Sequence, residues 1–282
     1  MRTRVIGNVN VGAIGLGAMP MSVAGHMPDE AQSIRTIHAA LDAGVTLIDT
    51  ADAYTPSADD IGHNERLVAK ALALWSGDRD AVLVATKGGH TRTPGDGWDV
   101  DGRPVYLRQA CERSLKALGV EAIGLYQHHR PDPAVPYEET VGAIRDLLDE
   151  GKIRMAGISN ADPSQIRTAH EILGGRLASV QNEYSPRFRS SEPEIDVCAE
   201  LGVAFLPWSP LGGMGAAGGL AGPFARVAAE RGVSPQQVCL AWELARSPVV
   251  IPIPGASRPE TIIDSVAAAE LTLSEEELAT LG

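Results

Sequence analysis

Along this chain, short apolar runs alternate with stretches whose apolar residues recur three and four apart. The runs end near Met19 and cover Val45–Ile48, Ala81–Ala85, Ile123–Gln127, Ile153–Ile158, Ala178–Val180, Val203–Pro207 and Val249–Ile253. Their aliphatic and β-branched content suits buried strands. Between them, Ala31, Ile34, Ile37, Ala40 and Leu41 mark one helical face after Asp29, and Leu67, Val68, Ala71 and Leu72 mark another within about Asn64–Leu74. Further helices are predicted over about Val105–Leu118, Pro136–Glu150, Pro163–Leu173, Glu192–Leu201, Pro223–Arg231 and Pro235–Ala245, with a short one after Ser274. Asp162-Pro163-Ser164-Gln165, Ser234-Pro235-Gln236-Gln237, Ser257–Glu260 and Ser274–Glu277 read as capping boxes. Val5–Asn10 and Val11–Ile14 read as a hairpin, Thr91–Pro104 as a loop around Trp98, and Leu211–Gly222 as a glycine-rich loop.

Strand followed by helix, with mostly short connections, is the pattern of a parallel α/β protein. Eight strands in 282 residues fit a (β/α)8 TIM barrel, whose usual size is about 250 residues, here with an N-terminal β-hairpin. A doubly wound open sheet is the alternative. With no repeat, low-complexity tract or linker, residues 1–282 are expected to form a single domain. Gly15-Leu16-Gly17 begins like a dinucleotide fingerprint, but Pro20 stands at its third glycine position and no helix opens there. The bare strand end at Gly17 remains a place where a ligand reaches backbone, with Met19 beside it.

In a barrel the carboxyl ends of the strands share one face. Here those ends carry Asp49, Lys87, His128-His129, Ser159-Asn160, Gln181-Asn182, Trp208-Ser209 and Gly255-Ala256-Ser257-Arg258, with Tyr54 five residues beyond Asp49. A phenol is a weak acid. An ammonium beside it favours phenolate, and a carboxylate holds that ammonium in place, which is expected to lower the phenol pKa by ~2–3 units. Asp49, Tyr54, Lys87 and one histidine therefore suit protonation of a carbonyl oxygen and supply no nucleophile. Adjacent histidines on a strand point to opposite faces, so only one of His128 and His129 meets the site. Neither forms a metal-ligand motif, and no metal is expected.

Twenty-four basic against 36 acidic residues give a net charge of −12, which argues against nucleic acid or an anionic membrane as partner. Any anionic ligand must be held by local groups. Cys111, Cys198 and Cys239 are far apart and without a CxxC pair, as in a reduced compartment. Asn8 and Asn10 interrupt the N-terminal apolar run, and no run approaches the ~18 residues of a membrane span. A cytoplasmic protein is expected.

The same residues, in order, resemble the aldo-keto reductase family. Asp49-Thr50-Ala51-Asp52-Ala53-Tyr54 is similar to its D-T-A-x-x-Y motif, Gly62–Glu65 to the G-x-x-E that follows, Ala85-Thr86-Lys87 to its lysine strand, and His129-Arg130-Pro131-Asp132 to H-x-P-D. Gly157–Asn160, Gln181–Pro186, Trp208–Gly212 and Ile253–Arg258 complete the resemblance over nearly the whole chain. It implies an NADPH-dependent oxidoreductase that reduces aldehydes and ketones. Tyr54 would be the general acid, Lys87 and Asp49 its tuning pair, and His129 the group that orients the carbonyl. Gly17, Met19 and Asp49 would border the cofactor. Ser159, Asn160 and Gln181 would hold the nicotinamide carboxamide, and Trp208 would stack on the ring. Ser209, Pro210, Leu211 and Gly212 would follow the pyrophosphate. Gly255, Ala256, Ser257 and Arg258 would meet the adenosine end and its 2′-phosphate. Thr261 and Ser265 depart from the family pattern at that end, so NADH stays admissible beside NADPH. The resemblance also implies a monomer acting on a small-molecule carbonyl substrate without metal. The competing reading is an NADPH-binding regulatory subunit with little turnover.

Overall fold

The protein is described here by a computed structural model covering residues 1–23, 27–95, 97–213 and 220–282. The N-terminal hairpin is β1 (Thr3–Ile6) against β2 (Val9–Gly12), paired from Thr3↔Gly12 to Ile6↔Val9. Its turn falls at Gly7-Asn8, not between residues 10 and 11 as expected. Gly7 takes φ +56°, which a tight hairpin turn requires and a glycine adopts freely.

After β3 (Leu16–Gly17) come α1 (Glu30–Asp42), β4 (Leu47–Asp49), α2 (His63–Leu74) and β5 (Leu83–Gly88). Then follow β6 (His90–Thr93), β7 (Gly97–Val100), α3 (Pro104–Leu118), β8 (Ile123–His128), α4 (Tyr137–Asp149), β9 (Ile153–Ser159) and α5 (Pro163–Ile172). The chain continues with β10 (Leu177–Gln181), α6 (Glu192–Leu201), β11 (Ala204–Phe205), α7 (Pro223–Arg231), α8 (Pro235–Arg246), α9 (Pro259–Ala267) and α10 (Glu275–Leu281). Asp162 with Gln165, and Ser274 with Glu277, form reciprocal capping boxes, and the Ser234 hydroxyl accepts from Gln237 N–H. The box expected at Ser257–Glu260 does not form. Arg258 takes the N-cap position of α9 because Pro259 starts the helix, and no side chain caps it.

Seven strands form one parallel sheet in the order β11-β10-β9-β8-β5-β4-β3. The eighth expected strand, Val249–Ile253, makes no ladder, so the expected complete (β/α)8 barrel appears as this curled sheet and a bridging segment. Phe205 N–H donates to Val249 O, and Ile251 N–H to Phe205 O, both at 2.8 Å, on one edge. Gly15 N–H reaches Pro252 O at 2.9 Å and Gly17 N–H reaches Pro254 O at 3.0 Å on the other. Pro252 and Pro254 have no N–H to return, which limits the contact to isolated bridges, Phe205↔Val250 and Gly17↔Gly255. Gly17 is bare first for packing: a Cβ there would lie 2.8 Å from Ile253 O.

A second difference is the segment 91–104. Instead of a loop, His90–Thr93 and Gly97–Val100 pair as an antiparallel ribbon, β6–β7. Alternating Thr91, Thr93, Trp98 and Val100 supply the β character that the surrounding Gly, Asp and Pro conceal, and Trp98 stacks on His90 with centroids 4.5 Å apart. Of the loop Leu211–Gly222, residues 214–219 lie outside the described residues.

The buried apolar residues separate into two clusters. One joins helices to the outer sheet face through Ile37, Val68, Leu107, Val141 and Ile166. The other holds only hairpin, strand and strand-like residues, among them Ile6, Val11, Leu47, Ala85, Leu125, Met155, Leu206, Ile251 and Ile253. Period-two alternation carries that inner face on to the strand ends: Leu47 to Asp49, Ala85 to Lys87, Leu125 to Gln127 and His129, Leu206 to Trp208. The fold thus delivers polar side chains above an apolar plug.

Candidate active site

A cavity of about 490 Å³ opens over those strand ends. Gly17, Met19, Asp49, Tyr54, His129, Ser159, Asn160 and Gln181 line one part of it. Trp208, Ser209, Pro210, Leu211, Gly255, Ala256, Ser257 and Arg258 line the rest. Two expected residues do not line it. Lys87 lies beneath, fully buried, and Gly212 is held back by its N–H bond to Ser209 O at 2.8 Å.

Under the floor, the Lys87 ammonium donates to Asp49 Oδ1 at 2.6 Å, Thr50 O at 2.9 Å and the Tyr54 hydroxyl at 3.4 Å. Asp49 Oδ2 accepts from Gln181 Nε2 at 2.8 Å and from Gln127 Nε2 at 3.4 Å. A buried carboxylate needs such a full set of donors. Burial pulls the ammonium down, but Asp49 and Tyr54 outweigh it, and Lys87 lies above its ordinary pKa. It is a fixed cation.

The phenol departs from the sequence expectation. Burial pushes Tyr54 up more than Lys87 pulls it down, so its pKa lies above the ordinary value instead of below it. A charge partner can be read from the sequence but the depth of burial cannot, and burial disfavours phenolate. Tyr54 is therefore a neutral donor held by a cation.

The His129 ring meets Tyr54 edge-on, with centroids 5.7 Å apart and planes at 83°. Burial first, then Lys87 and His90, keeps its pKa well below the usual histidine value, so the imidazole is neutral. His128 points to the opposite face, against Tyr137 at 6.2 Å, and burial lowers it to about 4.

Ser159, Asn160 and Trp208 form a chain of side chains. Trp208 Nε1 donates to Asn160 Oδ1 at 3.2 Å, and Asn160 Nδ2 donates to Ser159 Oγ at 2.9 Å and His129 O at 3.0 Å. Asn160 and Ser209 are the described non-glycine residues with positive φ, at 56° and 53°. Such conformations persist where surrounding contacts over-determine them. Gln181 Nε2 is committed to Asp49, which leaves its carbonyl oxygen for a ligand.

The sequence does not single out Gln127, His90 or Arg130 as site residues, yet Gln127 bonds Asp49 and the other two line the cavity, as does Thr261 near Arg258. Gln127 was readable: it continues the inward register of Leu125. His90 is not, because the sequence predicts a loop beside it where the β6–β7 ribbon forms. Burial holds His90 at about 4, so it too is neutral. Among the described residues no group of three or more potential ligands could hold a metal ion, and no helix is long and apolar enough to cross a membrane.

The family model for the aldo/keto reductase family matches residues 13–282. A probable aldo-keto reductase of Glycine max is 36% identical over 298 residues, covering 95% of this chain and 84% of its own. An uncharacterized oxidoreductase of Schizosaccharomyces pombe is 35% identical, covering 98% and 87%. Among solved structures, an aldo/keto reductase from Klebsiella pneumoniae in complex with NADP and acetate superposes with a TM-score of 0.82 at 30% identity, over 99% of this chain and 93% of that one. A glycerol dehydrogenase from Gluconobacter oxydans gives 0.84 at 28% identity, over 99% and 93%.

Proposed function

Because the chain belongs to the aldo/keto reductase family, we propose that it is an NADPH-dependent reductase of aldehydes and ketones, with Tyr54 as general acid. The observation that carries this reading is the Asp49–Lys87–Tyr54 contact set beside a neutral His129, at one end of a cavity that reaches Arg258.

The residues fit the cofactor. Amide and hydroxyl groups of Asn160, Ser159 and Gln181 border the reacting end, Trp208 offers a ring face, and Ser257 with Arg258 offers donors and a cation at the other end. A guanidinium at a helix start suits a phosphate. When bound, NADPH would supply the hydride. The Tyr54 hydroxyl holds the proton that the carbonyl oxygen needs as negative charge grows there. Lys87 stabilises the phenolate left behind, and Asp49 keeps Lys87 charged and in place. His129, neutral, donates a hydrogen bond to the same oxygen and orients the carbonyl.

In this reading the bridging segment 249–255 completes the strands as a closed (β/α)8 barrel of one domain, acting as a cytoplasmic monomer. Its hydrogen bonds to both sheet edges support the closure of the strands. Stopped-flow absorbance of the NADPH-loaded protein mixed with a panel of aldehydes tests the activity. Single-turnover oxidation by at least one aldehyde is expected. Tight NADPH binding that no carbonyl discharges would favour a regulatory subunit instead.

A further inference from the structure

The cavity lining carries three charged residues, and one of them has no task in the proposed chemistry. Asp49 is consumed by Lys87, Gln127 and Gln181. Arg258 stands beside Ser257 and Thr261 at the adenosine end. Arg130 stands at the other end, directly after His129 in the chain and lining the cavity with Tyr54, His90 and Trp98. Adjacent Cα atoms are about 3.8 Å apart, so its guanidinium leaves the backbone next to the group that orients the carbonyl.

Among the described residues, Arg130 has no hydrogen-bond or ion-pair partner. Several other arginines are spent: Arg66, Arg103, Arg108, Arg167, Arg176 and Arg231 each reach a carboxylate. Arg130 is half-buried, and its charge is felt by Tyr54, His129 and His90, each of which it pulls down in pKa. Glu183 also feels it but makes no ion pair with it. His90 and His129 are neutral, so among the described residues that line the cavity Arg130 is the positive charge at the reacting end; Arg92 lies outside the lining, over the Trp98 ring. A partly desolvated guanidinium without a partner is a fork for a carboxylate. The chain as a whole is anionic at −12, so an anionic substrate depends on a local cation of this kind.

We propose that Arg130 is the specificity-determining residue of this site and selects carbonyl substrates that carry a carboxylate a short distance from the carbonyl group. The inference rests on the carbonyl-reductase reading. The substrate class is that of aldehydic and keto acids, including aromatic ones, since the stacked His90 and Trp98 rings border the same space. The carbonyl oxygen lies between Tyr54 and His129, and the carboxylate accepts two parallel N–H bonds from one edge of the Arg130 guanidinium.

The test compares para-carboxybenzaldehyde with its neutral methyl ester, following NADPH absorbance with the full chain and with Arg130→Gln and Arg130→Lys. The expected wild-type kcat/KM favours the acid over the ester by about tenfold or more, the size of a charge-assisted contact. That ratio should fall to about one in Arg130→Gln, survive in part in Arg130→Lys, and shrink as salt is raised. An acid-to-ester ratio near one in the wild type, or one unchanged in Arg130→Gln, overturns the inference while leaving carbonyl reduction standing. Failure of either aldehyde to oxidise NADPH, where a broad aldehyde panel fails as well, overturns the parent reading and this one with it.

Discussion

Lys87 and Asp49 form an ion pair of 2.6 Å whose side chains are 0% and 4% exposed. A buried pair is costly to form, and far more costly to break on one side. Lys87→Met is expected to destabilise the fold by about 3–5 kcal/mol, since it strands a buried carboxylate. The double variant Asp49→Asn/Lys87→Met is expected to recover much of that loss. Urea unfolding of the wild type, both single variants and the double variant measures the coupling; additive losses would mean that the pair does not act as a unit.

The ionisation of the site sets a pH profile. His129 lies well below the usual histidine range and Tyr54 above the usual phenol range. Through neutral pH the imidazole is thus already neutral and the phenol still protonated. Carbonyl reduction is expected to show no inflection in kcat/KM near the ordinary histidine value, and to fall only in strong alkali as Tyr54 loses its proton. A clear step near neutrality would place a different group in control.

The bond from Trp208 Nε1 to Asn160 Oδ1, at 3.2 Å, ties the ring proposed to stack on the nicotinamide to the backbone of His129. Trp208→Phe keeps an aromatic face and removes that donor. The Kd for NADPH, read by fluorescence quenching, is expected to rise about three- to tenfold, the value of one modest hydrogen bond. An unchanged Kd would show that the tether contributes nothing.

Glu243 in α8 is fully buried, and among the described residues neither carboxylate oxygen has a partner. Burial holds its pKa well above the ordinary 4.5. The folded state therefore keeps a proton that the unfolded chain gives up, so Glu243 lowers stability progressively as pH rises above about that value. Glu243→Met is expected to match the wild type in acid and to exceed it by about 1–3 kcal/mol at neutral pH. Melting temperatures across that range test the difference; a constant offset would contradict it.

The order of strands, the helices and most of the cavity lining were legible because period-two and helical patterns are local. Alternation allows only one of His128 and His129 to face the site, the H-x-P-D resemblance chooses His129, and the inner register of Leu125 and Gln127 points the same way. Three features were not legible. The last strand has the apolar content of its neighbours, and Pro252 and Pro254 lack the N–H groups that a ladder on the β3 edge needs. The β6–β7 ribbon is held by the stacking of His90 on Trp98, a contact eight residues apart that no propensity reports. The direction of the Tyr54 pKa depends on how much solvent the whole fold removes, which no pair of residues encodes.

The role of Tyr54 is tested most directly by Tyr54→Phe, in single-turnover reduction of an aldehyde that the wild type accepts, with NADPH affinity measured alongside. The account predicts an unchanged Kd and a reduction rate lower by about a hundredfold or more. A variant that binds NADPH and reduces the aldehyde at the wild-type rate would contradict it.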